Sequence, residues 1–174
     1  MIFAKTTPYG IDKKLKAVQT SLNSQLSKLW LGTIEVYGKI EPTKRNDKII
    51  PEVYVSGTEY REIFVNDRVT ATIGFIVKDR AVANNLVTAK IDIVFTVDLK
   101  KAYGVSLRED EKAIIQAKKA VEKSMLCGAI TKINTGIDDV FKGFDRERVK
   151  HRDMQPWLVF SLETEITYDE TINC

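Results

Sequence analysis

The stretch Val87–Leu99 reads VTAKIDIVFTVDL, with Val87, Ala89, Ile91, Ile93, Phe95, Val97 and Leu99 apolar at strict two-residue spacing. Thr88, Lys90, Asp92, Thr96 and Asp98 lie between them, and only Val94 breaks the polar series. Side chains leave a strand on alternate sides, so this period demands a β-strand with one buried face and excludes a helix. Fully extended, thirteen residues reach about 40 Å, against the ~17–20 Å of an ordinary strand. A strand this long is central, bent or bulged, or it projects past the body of its domain.

The remaining chain is read against that strand. At 174 residues it predicts one α+β domain with a self-sufficient core. Residues 1–9 form an N-terminal arm or edge strand, broken by Pro8 and Gly10. Ile11, Leu15, Val18, Leu22, Leu26 and Leu29 draw one apolar stripe, predicting a helix to about Leu31 that Gly32 ends. Strands follow at Thr33–Ile40, Pro51–Val55, Tyr60–Val65 and Arg68–Val77. Glu41–Ile50 reads as a projecting polar loop and Lys78–Leu86 as a connection. Links this short predict antiparallel pairing, because parallel crossovers need a dozen or more residues.

After the long strand, Ser106 and Glu109 have capping-box spacing before a helix over Leu107–Met125, which Gly128 stops. A short strand at Ile130–Asn134 and a short helix at Asp138–Lys142 precede the last strand, Trp157–Tyr168. That strand alternates like Val87–Leu99, and pairing the two in mid-sheet is the economical arrangement. The expected fold is an antiparallel sheet of about five to six strands, with the N-terminal helix and a second long helix packed on one face.

Composition narrows the chemistry. Net charge is +3, from 27 basic and 24 acidic residues, too even for a protein that coats DNA. No apolar run spans a bilayer, and the N-terminus lacks a signal-peptide pattern, so a soluble intracellular product is expected. Cys127 and Cys174 read as reduced thiols. His151, the one histidine, sits in a charged run, and zinc would need clustered Cys and His. Asp138, Asp139, Asp145 and Glu147 read as caps and solvated charge rather than magnesium ligands. The polar face Lys90, Asp92, Thr96 and Asp98 has the texture of a nuclease strand but lacks the acid-x-lysine spacing. Neither a phosphate loop nor a nucleophile elbow occurs. No enzyme and no cofactor is expected.

One pattern is familiar. The C-terminal GIDDVFKGFDRERVKHRDMQPWLVFSLETEITY runs a short helix and loop into a proline–aromatic start of a final amphipathic strand. With the N-terminal helix ending near Trp30 and the strands around PEVYVSGTEYREIFVNDR, the order of elements resembles tail-terminator and head–tail connector (neck) proteins of tailed bacteriophages. The resemblance implies a non-enzymatic virion protein and a ring homo-oligomer that contacts other neck, portal or tail proteins. Genome DNA would pass through its lumen without sequence-specific contact, and no membrane is involved. It carries over no active-site residues. The expected assembly surface is Lys44, Arg45 and Lys48 in the loop, with Lys90, Asp92, Thr96 and Asp98 on the long strand. The other readings are a protein–protein adaptor outside a virion and a metal-dependent nuclease.

Overall fold

A computed structural model describes residues 1–64, 66–104, 108–147, 149 and 154–169. Ser106 of the expected capping box, His151 and Cys174 lie outside the described residues. The fold is α+β, in the order α1 (Ile11–Leu26), β1 (Ile34–Arg45), β2 (Lys48–Ser56), β3 (Glu59–Glu62), β4 (Ala71–Ala83), β5 (Leu86–Asp98), α2 (Leu99–Tyr103), α3 (Asp110–Ser124), β6 (Lys132–Thr135), α4 (Ile137–Val140) and β7 (Trp157–Asp169). Among the described residues seven strands, one or two more than expected, form one sheet in the order β3-β2-β1-β4-β5-β7-β6. No described helix is long and apolar enough to cross a membrane.

The long strand holds the expected place. β5 and β7 pair antiparallel along their whole length, from Leu86 opposite Asp169 to Asp98 opposite Trp157. The odd-numbered side chains of β5 are buried beneath α1 and α3, in a core that includes Leu15, Leu22, Trp30, Ile73, Phe75, Ala117 and Phe160. Phe95 stacks on Phe160 with centroids 4.8 Å apart and meets Trp30 edge-on at 6.5 Å.

Helix ends differ from the sequence reading for local reasons. α1 stops at Leu26, after which turns bonded back to the Leu26 carbonyl drop Trp30 into the core and leave Leu29 exposed. The indole N–H of Trp30 donates to Gln116 Oε1 at 2.8 Å, which fixes the detour. Gly32, at φ 80°, then turns the chain into β1. α3 ends on Met125 in the left-handed region, so Gly128 lies beyond the helix and its N–H bonds the Glu165 carbonyl instead.

The loop expected at 41–50 is a hairpin. β1 continues through Pro42 to Arg45 and turns at Asn46 and Asp47, both with positive φ, into β2. The connection expected at 78–86 is likewise the end of β4, a turn at Asn84 and Asn85, and the start of β5. Two-residue turns with both centres at positive φ match strand twist, and Asn tolerates that region best after Gly. Polar composition alone reads as loop in both places, although an exposed hairpin is polar too. Asn85→Val, which puts a branched side chain at φ 66°, is expected to cost about 1–2 kcal/mol. Faster hydrogen exchange confined to the Val82–Val87 end of the β4–β5 ladder is the measurement that checks it.

The all-antiparallel expectation is also corrected. β1 runs parallel to β4 from Ile34 to Lys39, slips at a bulge after Val36, and then pairs antiparallel with β2 from Ile40 onward. The β2–β3 excursion supplies the crossover, and Thr70 N–H returns the chain to the Thr33 carbonyl at 2.8 Å. α1 and α3 share one face as expected, but the opposite face is covered as well. There Ile137, Val140 and Phe141 pack on Tyr37, Ile40, Val53, Phe64, Val94 and Val159. Ile40 crosses directly above Gly74, where a Cβ would come within 2.9 Å of its Cδ1.

Candidate assembly surface

The β1 bulge splits the sheet into two arms. Past Lys39, β1 leaves β4 and forms the β1–β2 arm, while β4 continues with β5 as a second arm. From Ile76 to Ala83 the β4 edge that faces β1 has no strand beside it among the described residues. Lys78 to Ala83 are exposed, and the tip presents Val82 and Leu86 at 64% and 49% exposure. Unpaired edges and apolar arm tips are features that folded monomers normally blunt.

The seven residues expected to form a surface divide into three groups. Lys44, Arg45 and Lys48 lie together on the β1–β2 arm but are engaged within the chain. Lys44 pairs with Asp47 at 2.9 Å across the turn, and Arg45 pairs with Glu52 on β2. Lys48 binds Asp145 at 2.8 Å and Glu147 at 3.1 Å. With Asp145 N–H on the Ile49 carbonyl at 2.7 Å, these contacts tie the segment after α4 to the arm. Lys90 is exposed on β5, opposite Glu165 of β7.

Asp92, Thr96 and Asp98 are buried and offer no outer surface. They point to the second sheet face, which the sequence reading left bare and which α4 and the following residues cover. Thr96 hydrogen-bonds the hydroxyl of Thr72 on β4. Asp98 caps α2, accepting from Lys101 N–H at 3.0 Å.

Asp92 sits in a charged cluster that sequence reasoning missed. It lies directly opposite Glu163 of β7, and Lys78 of β4 bridges the two carboxylates at 2.8 and 2.9 Å. Thr131 Oγ1 donates to Glu163 Oε1 at 3.0 Å, while Asp92 Oδ1 has no hydrogen-bond partner among the described residues. Like charges facing across a ladder repel, so the ammonium between them holds the arrangement together. Burial pulls the Lys78 pKa down, but the hydrogen bonds its ammonium donates to Asp92 and Glu163 outweigh it and leave the net value raised. Hydrogen bonds from Lys78 and Thr131 hold Glu163 below its ordinary 4.5. The signal was available, because Glu163 follows from the expected β5–β7 pairing once the register is written out.

A second cluster gathers on Glu35, which accepts from Tyr37 Oη at 2.5 Å, Arg61 at 2.7 Å and Asn66 at 3.0 Å. It borders an open groove of about 340 Å³ lined in part by Arg68, Phe64 and Thr72. Arg61 also lies over the stacked rings of Phe3 and Tyr37, at 5.6 and 5.0 Å. All of these link the N-terminal arm, β1 and β3, so the cluster reads as a clamp on the β1 bend. Among the described residues, no group of three or more Asp, Glu, His or Cys side chains is placed to hold a metal ion. Burial raises the Cys127 thiol to about 11, which keeps it unreactive.

No family model matches the chain, and no curated protein matches it.

Proposed function

We propose that this chain is a structural virion protein of a tailed bacteriophage, a tail terminator or head–tail connector that assembles into a ring and catalyses no reaction. The resemblance in element order motivates the reading, and the bare β4 edge with its apolar arm tip is the observation that carries it. Subunits in a ring contact one another through unlike surfaces, so an edge or tip left open in one copy is met by a different surface of the next. Portal or tail proteins on the same axis are the expected partners, and the virion is its expected location.

Light scattering on a size-exclusion column tests this. The expected result is a discrete mass at a multiple of the 19.7 kDa chain. The double variant Val82→Asp, Leu86→Asp should elute at monomer mass with an unchanged circular dichroism spectrum, since both residues are already exposed. A wild-type chain that stays monomeric at high concentration, and also with portal and tail proteins added, would sink the proposal.

A further inference from the structure

Formal charge is distributed unevenly between the two sides of the sheet. Residues 11–31 hold four lysines against one aspartate, and residues 99–127 hold seven cations against four carboxylates. These stretches therefore carry +6 where the whole chain carries +3, and the remainder is −3. They build the α1, α2 and α3 layer, so a chain that looks balanced in composition has one basic side.

The carboxylates of that layer are largely consumed by their neighbours. Asp12 pairs with Lys5, Glu109 with Lys112, Asp110 with Arg108 and Glu122 with Lys118. Lys13, Lys14, Lys16 and Lys28 from α1 and the turn after it, with Lys119 and Lys123 of α3, are exposed and have no ion-pair partner among the described residues. The two helices pack antiparallel, with Gln25 Nε2 on the Ala120 carbonyl at 3.1 Å and Trp30 on Gln116. Lys119 and Lys123 consequently flank the C-terminal half of α1. The lysines stand in two groups, Lys13, Lys14 and Lys16 at the start of α1 and Lys28, Lys119 and Lys123 around its far end, about 20 Å apart along the helix.

We infer that the outer face of α1 and α3 binds the phosphate backbone of double-stranded nucleic acid without reading its sequence. Between the lysines, the exposed positions of α1 include Ala17, Thr20 and Ser24, small or hydroxylic residues that let a phosphate row approach closely. No aromatic residue lies between Lys13 and Lys28, so bases have nothing to stack on, and single strands are disfavoured. Between Lys13 and Ser24 α1 exposes no large apolar side chain, and scattered ones beyond, such as Leu29 and Ile115, do not make the continuous apolar face of a membrane-surface helix. A duplex presents one charge per about 1.7 Å of axis, and each lysine that neutralises a phosphate releases counterions. Placing this face toward passing DNA rests on the ring reading; the binding itself does not.

Fluorescence anisotropy with a labelled 20-base-pair duplex of arbitrary sequence, titrated from 50 to 200 mM NaCl, tests the inference. Expected is binding near ~10⁻⁵ M or tighter at the low-salt end, with a log–log salt slope of about 4–5. Replacing Lys13, Lys14, Lys16 and Lys28 by Gln should weaken binding at least about tenfold and lower the slope by about one per lysine. Arg at the same four positions should restore both, and Lys142→Gln, on the other side of the sheet, should change neither. No binding at 50 mM salt, a Gln variant that folds and binds like wild type, or tighter binding to phosphatidylserine vesicles than to the duplex would each overturn it. A monomer that binds duplex leaves this inference standing while the ring reading falls, and a ring that ignores duplex does the reverse.

Discussion

Phe95→Ala is expected to lower the melting temperature by about 10 °C, the largest effect of any single substitution considered. Phe95 is fully buried at the centre of β5, stacked on Phe160 and edge-on to Trp30, so truncation removes contacts to both β7 and the helix layer. Phenylalanine-to-alanine changes in such sites cost about 3–5 kcal/mol, because a cavity remains that rigid neighbours do not fill. For a chain of this size each kcal/mol moves the midpoint by about 2–4 °C. Calorimetry on the variant checks the value, and Phe95→Leu, which keeps most of the volume, should recover the larger part of the loss.

Lys78→Met is the second large effect, at about 2–3 kcal/mol. The ammonium itself is partly exposed, which tempers its own contribution, but removing it leaves Asp92 buried opposite Glu163 with no counter-charge. Adding Asp92→Asn should return much of the stability, a coupling that a denaturant double-mutant cycle measures directly. The pH dependence has a definite sign. The raised Lys78 value gives stability that is complete below 10.5 and fades as pH climbs through the folded value. The lowered Glu163 value gives stability that is complete above 4.5 and fades as pH falls through the folded value. The gap between wild type and Lys78→Met should therefore be level across neutral pH and shrink at both extremes.

The parts of the fold legible in sequence were those where a periodic apolar pattern met a single buried face. The alternation of β5 and β7 was unbroken enough to give both strands, their mutual pairing and the face they bury. The α1 stripe located its helix, though it could not show that Trp30 would leave the helical path to reach Gln116. What stayed hidden was set by long-range geometry. Lys44 to Ile49 and Lys78 to Ala83 are exposed at every position, so these hairpin ends lack the apolar alternation that marks a half-buried strand. The parallel β1–β4 pairing depends on a bulge that no local pattern announces. The alternation of β5 places Asp92, Thr96 and Asp98 on the face opposite the helices, and no local pattern shows that Val140 and Phe141, at the end of a short helix far along the chain, close that face.

The place of β7 in the strand order bears on how the chain is made. β7 lies between β5 and β6 and supplies the partner for every residue of β5 from Leu86 to Asp98. A ribosome releases the β4–β5 hairpin long before β7, at about 5–20 residues per second. For those seconds the nascent chain holds a long strand rich in isoleucine, valine and phenylalanine with one edge bare. Local hairpins can form during that wait, but the central ladder closes only when residue 169 has emerged, which makes this interval the one in which a chaperone would matter most.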